Sequence, residues 1–308
     1  MTRTKEIIGI DSSTNALTWA IEVLRMYFEE VLALRENALN SADIEGVHQM
    51  RVAIRRLRSA LRDFSPLIKS RLLKESKKGL KKLTDALGKA RDQDVAITTL
   101  EKLRDNAQND YIKTDLTKKV EKRRIVREET QKELVKILDT SSLESLRENF
   151  SKALDEASEK NEEAAKLTPK EAGQAVISKG LQEFSDLSGS LYNPFNPEKL
   201  HQLRISAKRL RYALELFTLC WSEQMSPFAK KVADLQTYLG ELHDCDIWIE
   251  SLSQHLNKKK IKKQRTDFWL LSKFTKNRTK NYRAALRLWS KWQKNKFIER
   301  LQEVLQTD

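Results

Sequence analysis

Fourteen residues, HQMRVAIRRLRSAL at 48–61, return as HQLRISAKRLRYAL at 201–214, with eight positions identical and an offset of 201 − 48 = 153 in a chain of 308. A second pair, LTDALGKARDQD at 83–94 and LQTYLGELHDCD at 235–246, repeats at an offset of 235 − 83 = 152. Two ordered motifs that recur at nearly one spacing require one unit built twice. With only two copies this is a duplication and not a solenoid array. It divides the chain into two units of about 150 residues, an ordinary size for a domain with its own core. The polar stretch ASEKNEEAAKLTPKE at 157–171 marks the join, with units expected over 1–157 and 158–308.

The units read as all-α. Apolar residues recur at three- and four-residue spacing between breakers, and period-2 alternation is absent. Leu17, Ile21, Leu24, Phe28 and Leu32 mark a helix over about 14–38. Asp43 precedes the first motif and Asn196-Pro197 the second, 153 residues apart; Asp and Asn suit an N-cap and Pro the first helical position. Thr168-Pro169 and Ser226-Pro227 repeat that start signal, predicting helices near 169–188 and 227–242. A last helix is expected in each half, near 112–138 and 265–293, where Arg127 and Lys132 align with Arg278 and Arg283. The economical architecture is two tandem four-helix bundles.

Winding 48–64 at about 100° per residue separates two faces. Val47, Met50, Ile54, Leu57, Leu61 and Phe64 form an apolar arc for the core, and His48, Arg51, Arg55, Arg58 and Arg62 the arc beside it. In the second half Leu200, Leu203, Ala207, Leu210, Leu214 and Phe217 repeat the apolar arc, and His201, Arg204, Lys208 and Arg211 the basic one. Glu215 stands where Arg62 stands. Like charges at i,i+4 cost a helix roughly 0.2–0.5 kcal/mol per pair, so folding alone does not call for such a row. His48 and Arg62 are fourteen residues apart, about 21 Å along the axis, a length suited to an extended polyanion. Arginine offers a fixed fork of donors for phosphate oxygens. A histidine among cations is harder to protonate, which favours it as a hydrogen-bond donor to phosphate over a general acid.

The wider charge agrees. The formal net charge is +14, concentrated at 44–82 (twelve Lys/Arg, three Asp/Glu) and 256–296 (fifteen Lys/Arg against Asp267). An acidic partner is implied: nucleic acid, another polyphosphate or an anionic surface. Two cysteines, Cys220 and Cys245, are too few for a disulfide scaffold, and both are expected to be unreactive. The start MTRTKEIIGIDSST has no signal-peptide core, and no apolar run is long enough to span a bilayer. A soluble cytoplasmic protein is expected.

These residues resemble the CHAD domain, the conserved histidine α-helical domain. VHQMRVAIRRLRSAL, LHQLRISAKRLRYAL, LGKARDQDV and LGELHDCDI look like its repeated signatures, over about residues 14–303. The resemblance implies two four-helix bundles related by pseudo-twofold symmetry, with basic faces lining a central groove or channel. It implies binding of inorganic polyphosphate without catalysis and, for many members, association with polyphosphate granules. Carried over by position, His48, Arg51, Arg55, Arg58, His201, Arg204, Lys208 and Arg211 face the ligand, with Lys78 and Lys230 contributing from the following helices. Arg62, Arg127, Arg278 and Arg283 complete the expected binding set. Some relatives carry a triphosphate-hydrolysing domain ahead of this one; only about 13 residues precede the first expected helix, so none is expected here.

Two other readings share the electrostatics. A nucleic-acid binder should interleave aromatic side chains with the basic row; only Tyr212 lies near it, and Ser59 takes that place in the first half. A metal-dependent phosphohydrolase could use Asp92/Asp94 and Asp244/Asp246 with Mg²⁺. The plainer role for these acids is an Asp N-cap after a helix end at Gly88 or Gly240, or an ion pair to a motif arginine. Walker A, HExxH and GxGxxG motifs are absent, and no cofactor, metal or enzymatic activity is expected. His243 and His255 have no recognisable partner spacing and read as surface or packing residues. Trp269, Phe268, Trp289, Trp292 and Phe297 read as core or bundle contacts.

Overall fold

The computed structural model describes residues 14–41, 43–68, 71–159, 166–256 and 265–307, and every long element in it is an α-helix. The contacts divide the chain into two compact units, Met1–Thr168 and Pro169–Asp308, so the join falls inside the polar 157–171 stretch, past the expected 157/158. The first unit contains α1 (Ala16–Ala33), the short α2 (Arg35–Leu39), α3 (Ile44–Asp63), α4 (Lys74–Asp105), α5 (Asp110–Ile137) and α6 (Thr140–Glu159). The second contains α7 (Pro169–Ser188), α8 (Pro197–Leu216), α9 (Ser226–Leu256), α10 (Arg265–Lys294) and α11 (Phe297–Gln306). The basic run 258–264 lies outside the described residues, as does the side chain of His255.

The start signals behave as the sequence suggests. Asp43 accepts from the Glu45 amide at 2.9 Å to cap α3, and Asn196 accepts from the Lys199 amide at 3.0 Å to cap α8, with Pro197 at its first turn. Each unit carries one long or medium helix beyond the expected four. On α6, Phe150 stacks on Phe28 of α1 with ring centroids 4.4 Å apart. On α11, Phe297 stacks on Trp292 at 4.1 Å, so Trp289, Trp292 and Phe297 are core, whereas Phe268 is exposed.

The apolar arcs of α3 and α8 are buried throughout: Val47, Met50, Ile54, Leu57, Leu61 and Phe64 in one unit, and Leu200, Leu203, Ala207, Leu210, Leu214 and Phe217 in the other. At about 1.5–3 kcal/mol per large side chain, these stripes fix the rotation of each helix about its axis. The neighbouring arc is thereby fixed as well.

One expectation is corrected. Gly88 and Gly240 do not end helices, and the acids after them cap nothing: α4 runs unbroken over Lys74–Asp105 and α9 over Ser226–Leu256. Glycine is a common helix terminator, but here it serves a tertiary contact in mid-helix. Among the described residues, no helix is long and apolar enough to cross a membrane.

Candidate functional site

The His48–Arg51 end of the α3 row lies against α4. A Cβ added at Gly88 would stand 2.7 Å from Arg51 Nη1, so the missing side chain leaves the space the guanidinium occupies. In the second unit a Cβ on Gly240 would meet Arg204 Nε at 3.8 Å, an ordinary contact. The glycine of the second motif thus sits beneath an arginine of the first, tightly in one unit and loosely in the other.

His48, Arg51, Arg55 and Arg62 are half-buried and Arg58 exposed; His201, Arg204, Lys208 and Arg211 are half-buried. Arg55 and Arg58 make no salt bridge among the described residues, and Arg55 Nε is buried without a hydrogen-bond partner there. Adjacent Arg56 points elsewhere and meets both carboxylate oxygens of Glu30 at 2.8 Å. Arginines away from the row are similarly matched, as in Arg147–Glu29 and Arg124–Glu101. Arg56, Arg147 and Arg124 thus have acidic partners away from the row; near Arg51, burial raises the pKa of Asp92 and the guanidinium opposes that rise.

The ends of the rows differ. Arg62 is held by buried Asp63 at 2.7 Å, and Arg211 lies 3.2 Å from Glu215, so these two are partly neutralised. Arg127 and Arg278 occupy equivalent clamps. Arg127 Nε donates to buried Asp94 at 2.6 Å and its Nη1 to Gln131, whose amide reaches the Leu39 carbonyl at 3.0 Å. Arg278 Nε donates to Asp246 at 2.5 Å and Nη2 to the Pro194 carbonyl at 2.9 Å. One acid of each Asp pair thereby ties α5 to α4 and α10 to α9. Lys78 donates to Glu75 on its own helix; Lys230 and Arg283 are exposed, and among the described residues no hydrogen bond or ion pair joins these three to the rows. Among the described residues no group of three or more His, Cys, Asp or Glu side chains is placed so that it could hold a metal ion.

Two residues outside the expected binding set lie beside the rows: Arg91, which the sequence did not mark, and His243, which it read as a surface or packing residue and which instead meets a row histidine. Arg91 of α4 acts on His48, and with Arg55 and Arg51 it helps burial hold that imidazole below its ordinary pKa, against Glu45. At the matching position, 243 − 152 = 91, His243 of α9 meets His201 with Nδ1 atoms 3.2 Å apart. Burial, then Arg204 and Lys208, lower the pKa of His201. Burial, then His201 and Arg204, push His243 down to about 4, against Asp246. Both lie three residues after the motif glycine, on its face of the helix, which was the available signal.

Tyr212 is buried with the Arg211 guanidinium 4.7 Å over its ring, so it offers no open face for stacking. Burial pushes both thiols up to about 12; around Cys245, Glu241, Asp244 and Asp246 add to the effect.

The family model described as CHAD domain matches residues 22–253. Among solved structures, the CHAD domain from the plant Ricinus communis superposes with a TM-score of 0.70 at 18% identity, covering 92% of this chain and 94% of that one. PptA from Streptomyces chartreusis superposes with a TM-score of 0.63 at 13% identity, covering 90% and 100%. At these identities the likeness is one of fold. No curated protein matches.

Proposed function

Because the chain belongs to the CHAD domain family, we propose that it binds inorganic polyphosphate along the basic rows of α3 and α8, without catalysis. The observation that carries this reading is the unmatched charge at the centre of the α3 row. Among the described residues Arg55 and Arg58 make no salt bridge, while Arg56, one residue away, pairs with Glu30. A linear chain of phosphates supplies anionic oxygens along the row's ~21 Å and releases condensed counterions on binding. His48 and His201, kept neutral by burial and neighbouring cations, are suited to donate to phosphate oxygens. Arg127 and Arg278 act through the clamps that position α5 and α10. Association with polyphosphate granules is part of the same proposal. Burial of Tyr212 disfavours the nucleic-acid reading, and the use of Asp94 and Asp246 as arginine partners disfavours a metal-dependent phosphohydrolase.

The test is a titration of purified protein with long polyphosphate, triphosphate, single-stranded DNA and duplex DNA at physiological salt. Long polyphosphate is expected to bind tightest, with DNA weaker by at least roughly tenfold, 1.4 kcal/mol. Affinity should fall steeply with added salt. Equal affinity for DNA overturns the proposal, as does Mg²⁺-dependent phosphate release that disappears in Asp92→Asn or Asp244→Asn.

Gly88 supplies a sharper check. Alanine in mid-helix is favoured over glycine by about 1 kcal/mol, and the obstructing atom is the movable tip of Arg51. Gly88→Ala should therefore keep or raise the melting temperature yet weaken polyphosphate binding severalfold by displacing that guanidinium. Gly240→Ala, with 3.8 Å of clearance, should leave affinity unchanged. Equal responses of the two variants would remove Arg51 from the site.

A further inference from the structure

The two units differ at one position beside the histidine of the row. In the first it carries Arg91, a permanent cation; in the second it carries His243, a cation only when protonated. The imidazoles of His201 and His243 lie with ring centroids 4.1 Å apart, tilted by 37°, and with Nδ1 atoms at 3.2 Å. At that separation one Nδ1 must carry a proton toward the other's lone pair; two protons there would repel, and none would oppose two lone pairs. The neutral pair thus holds one proton on the shared line and one on the acceptor ring's Nε2, and it can accept a further proton only at the donor ring's outward Nε2.

Resting on the polyphosphate reading, we propose that His243 is a further ligand-binding residue and that the His201/His243 pair takes up a proton from solvent when polyphosphate occupies the α8 row. The groups acting on the pair are Arg204 and Lys208 of α8 and Asp246 of α9, and Asp246 is already engaged by Arg278 of α10. The cations oppose a further positive charge in the free protein. A row of phosphates reverses the sign of that field, because an opposite charge nearby favours the protonated form. The sign follows: the bound state holds more protons than the free state, so affinity rises as pH falls. The window runs from the protonation point of the complex down to that of the free pair, where His243 sits at about 4. One proton taken up corresponds to a rise of up to about tenfold per pH unit. The first unit, with Arg91 in place, gains its cation without this step.

The experiment uses the full chain and long-chain polyphosphate, whose interior phosphates stay ionised across the range. Calorimetric titrations between pH 5 and 7.5, repeated in buffers of different ionisation enthalpy, give affinity and proton uptake together. Wild type is expected to bind more tightly toward pH 5 with net uptake of protons. His243→Arg, which installs the first unit's residue, should bind as tightly at pH 7.5 as wild type does near pH 5, with a much reduced pH slope. His243→Gln should lose the slope without gaining affinity, and His48→Gln should retain it. Binding without proton uptake, or an unchanged slope in both His243 variants, overturns this inference and leaves the polyphosphate reading standing. Absence of binding at every pH overturns both.

Discussion

Reversing one central cation in each row, Arg55→Glu together with Lys208→Glu, is expected to weaken polyphosphate binding by roughly 10²–10⁴-fold. Each charge-assisted hydrogen bond to an anion is worth about 1.5–3 kcal/mol, and two are lost, with 1.4 kcal/mol per factor of ten. The Arg55 change itself should hardly move stability. Arg55 has no salt bridge to lose among the described residues, and an acid one turn from Arg51 relieves a like-charge contact of roughly 0.2–0.5 kcal/mol. Arg56→Glu is the control, because it breaks the pair with Glu30 on the other side of α3 and leaves the row as it was. Its effect should be on melting temperature and not on affinity. Titration and thermal melting of the two proteins decide the matter. A double variant that binds within threefold of wild type would show that the rows are not where the ligand lies.

Asp94→Ala is expected to destabilise the first unit by about 3–5 kcal/mol, because it leaves the buried Arg127 guanidinium with its charge uncompensated. Asp94 is 5% exposed and Arg127 14%, so solvent screening is slight. For a unit of this size that corresponds to a fall in melting temperature of roughly 6–20 °C. The loss is large because α5 has little else to hold it: of its 28 residues only Leu116, Val120 and Leu134 are buried. Asp94→Asn keeps an acceptor for Arg127 and should cost less. Thermal unfolding followed by circular dichroism reads both, and a shift below 2 °C for Asp94→Ala would make the clamp incidental.

The helical fold was legible because it rests on spacing. Six apolar positions in each motif helix point one way at 3.6-residue periodicity, and the caps at Asp43 and Asn196 are local chemistry that needs no tertiary knowledge. The basic rows followed from the same geometry, since fixing one arc fixes the next. What the sequence hid were residues whose role is decided by another helix. Gly88 and Gly240 followed by Asp look locally like a helix end and a cap, and only the Arg51 guanidinium above Gly88 explains a glycine in mid-helix. Arg91 and His243 share no chemistry until the 152-residue offset brings them into register, and His243 meets His201 only across the α8–α9 seam. Arg127 and Arg278 were correctly paired with each other, but the acids that engage them lie on α4 and α9, 33 and 32 residues earlier.

Arg55 and Arg56 are neighbours in sequence yet serve opposite sides of one rod. Adding or removing a single residue within α3 would turn everything beyond it by about 100°, presenting the wrong arginine and lifting the core stripe off its seat. These helices can therefore tolerate changed letters far better than changed length. The chain's own history agrees: its halves differ by one position between the motifs, and that slip falls outside the α-helices, in the ten residues 64–73 against the nine residues 217–225.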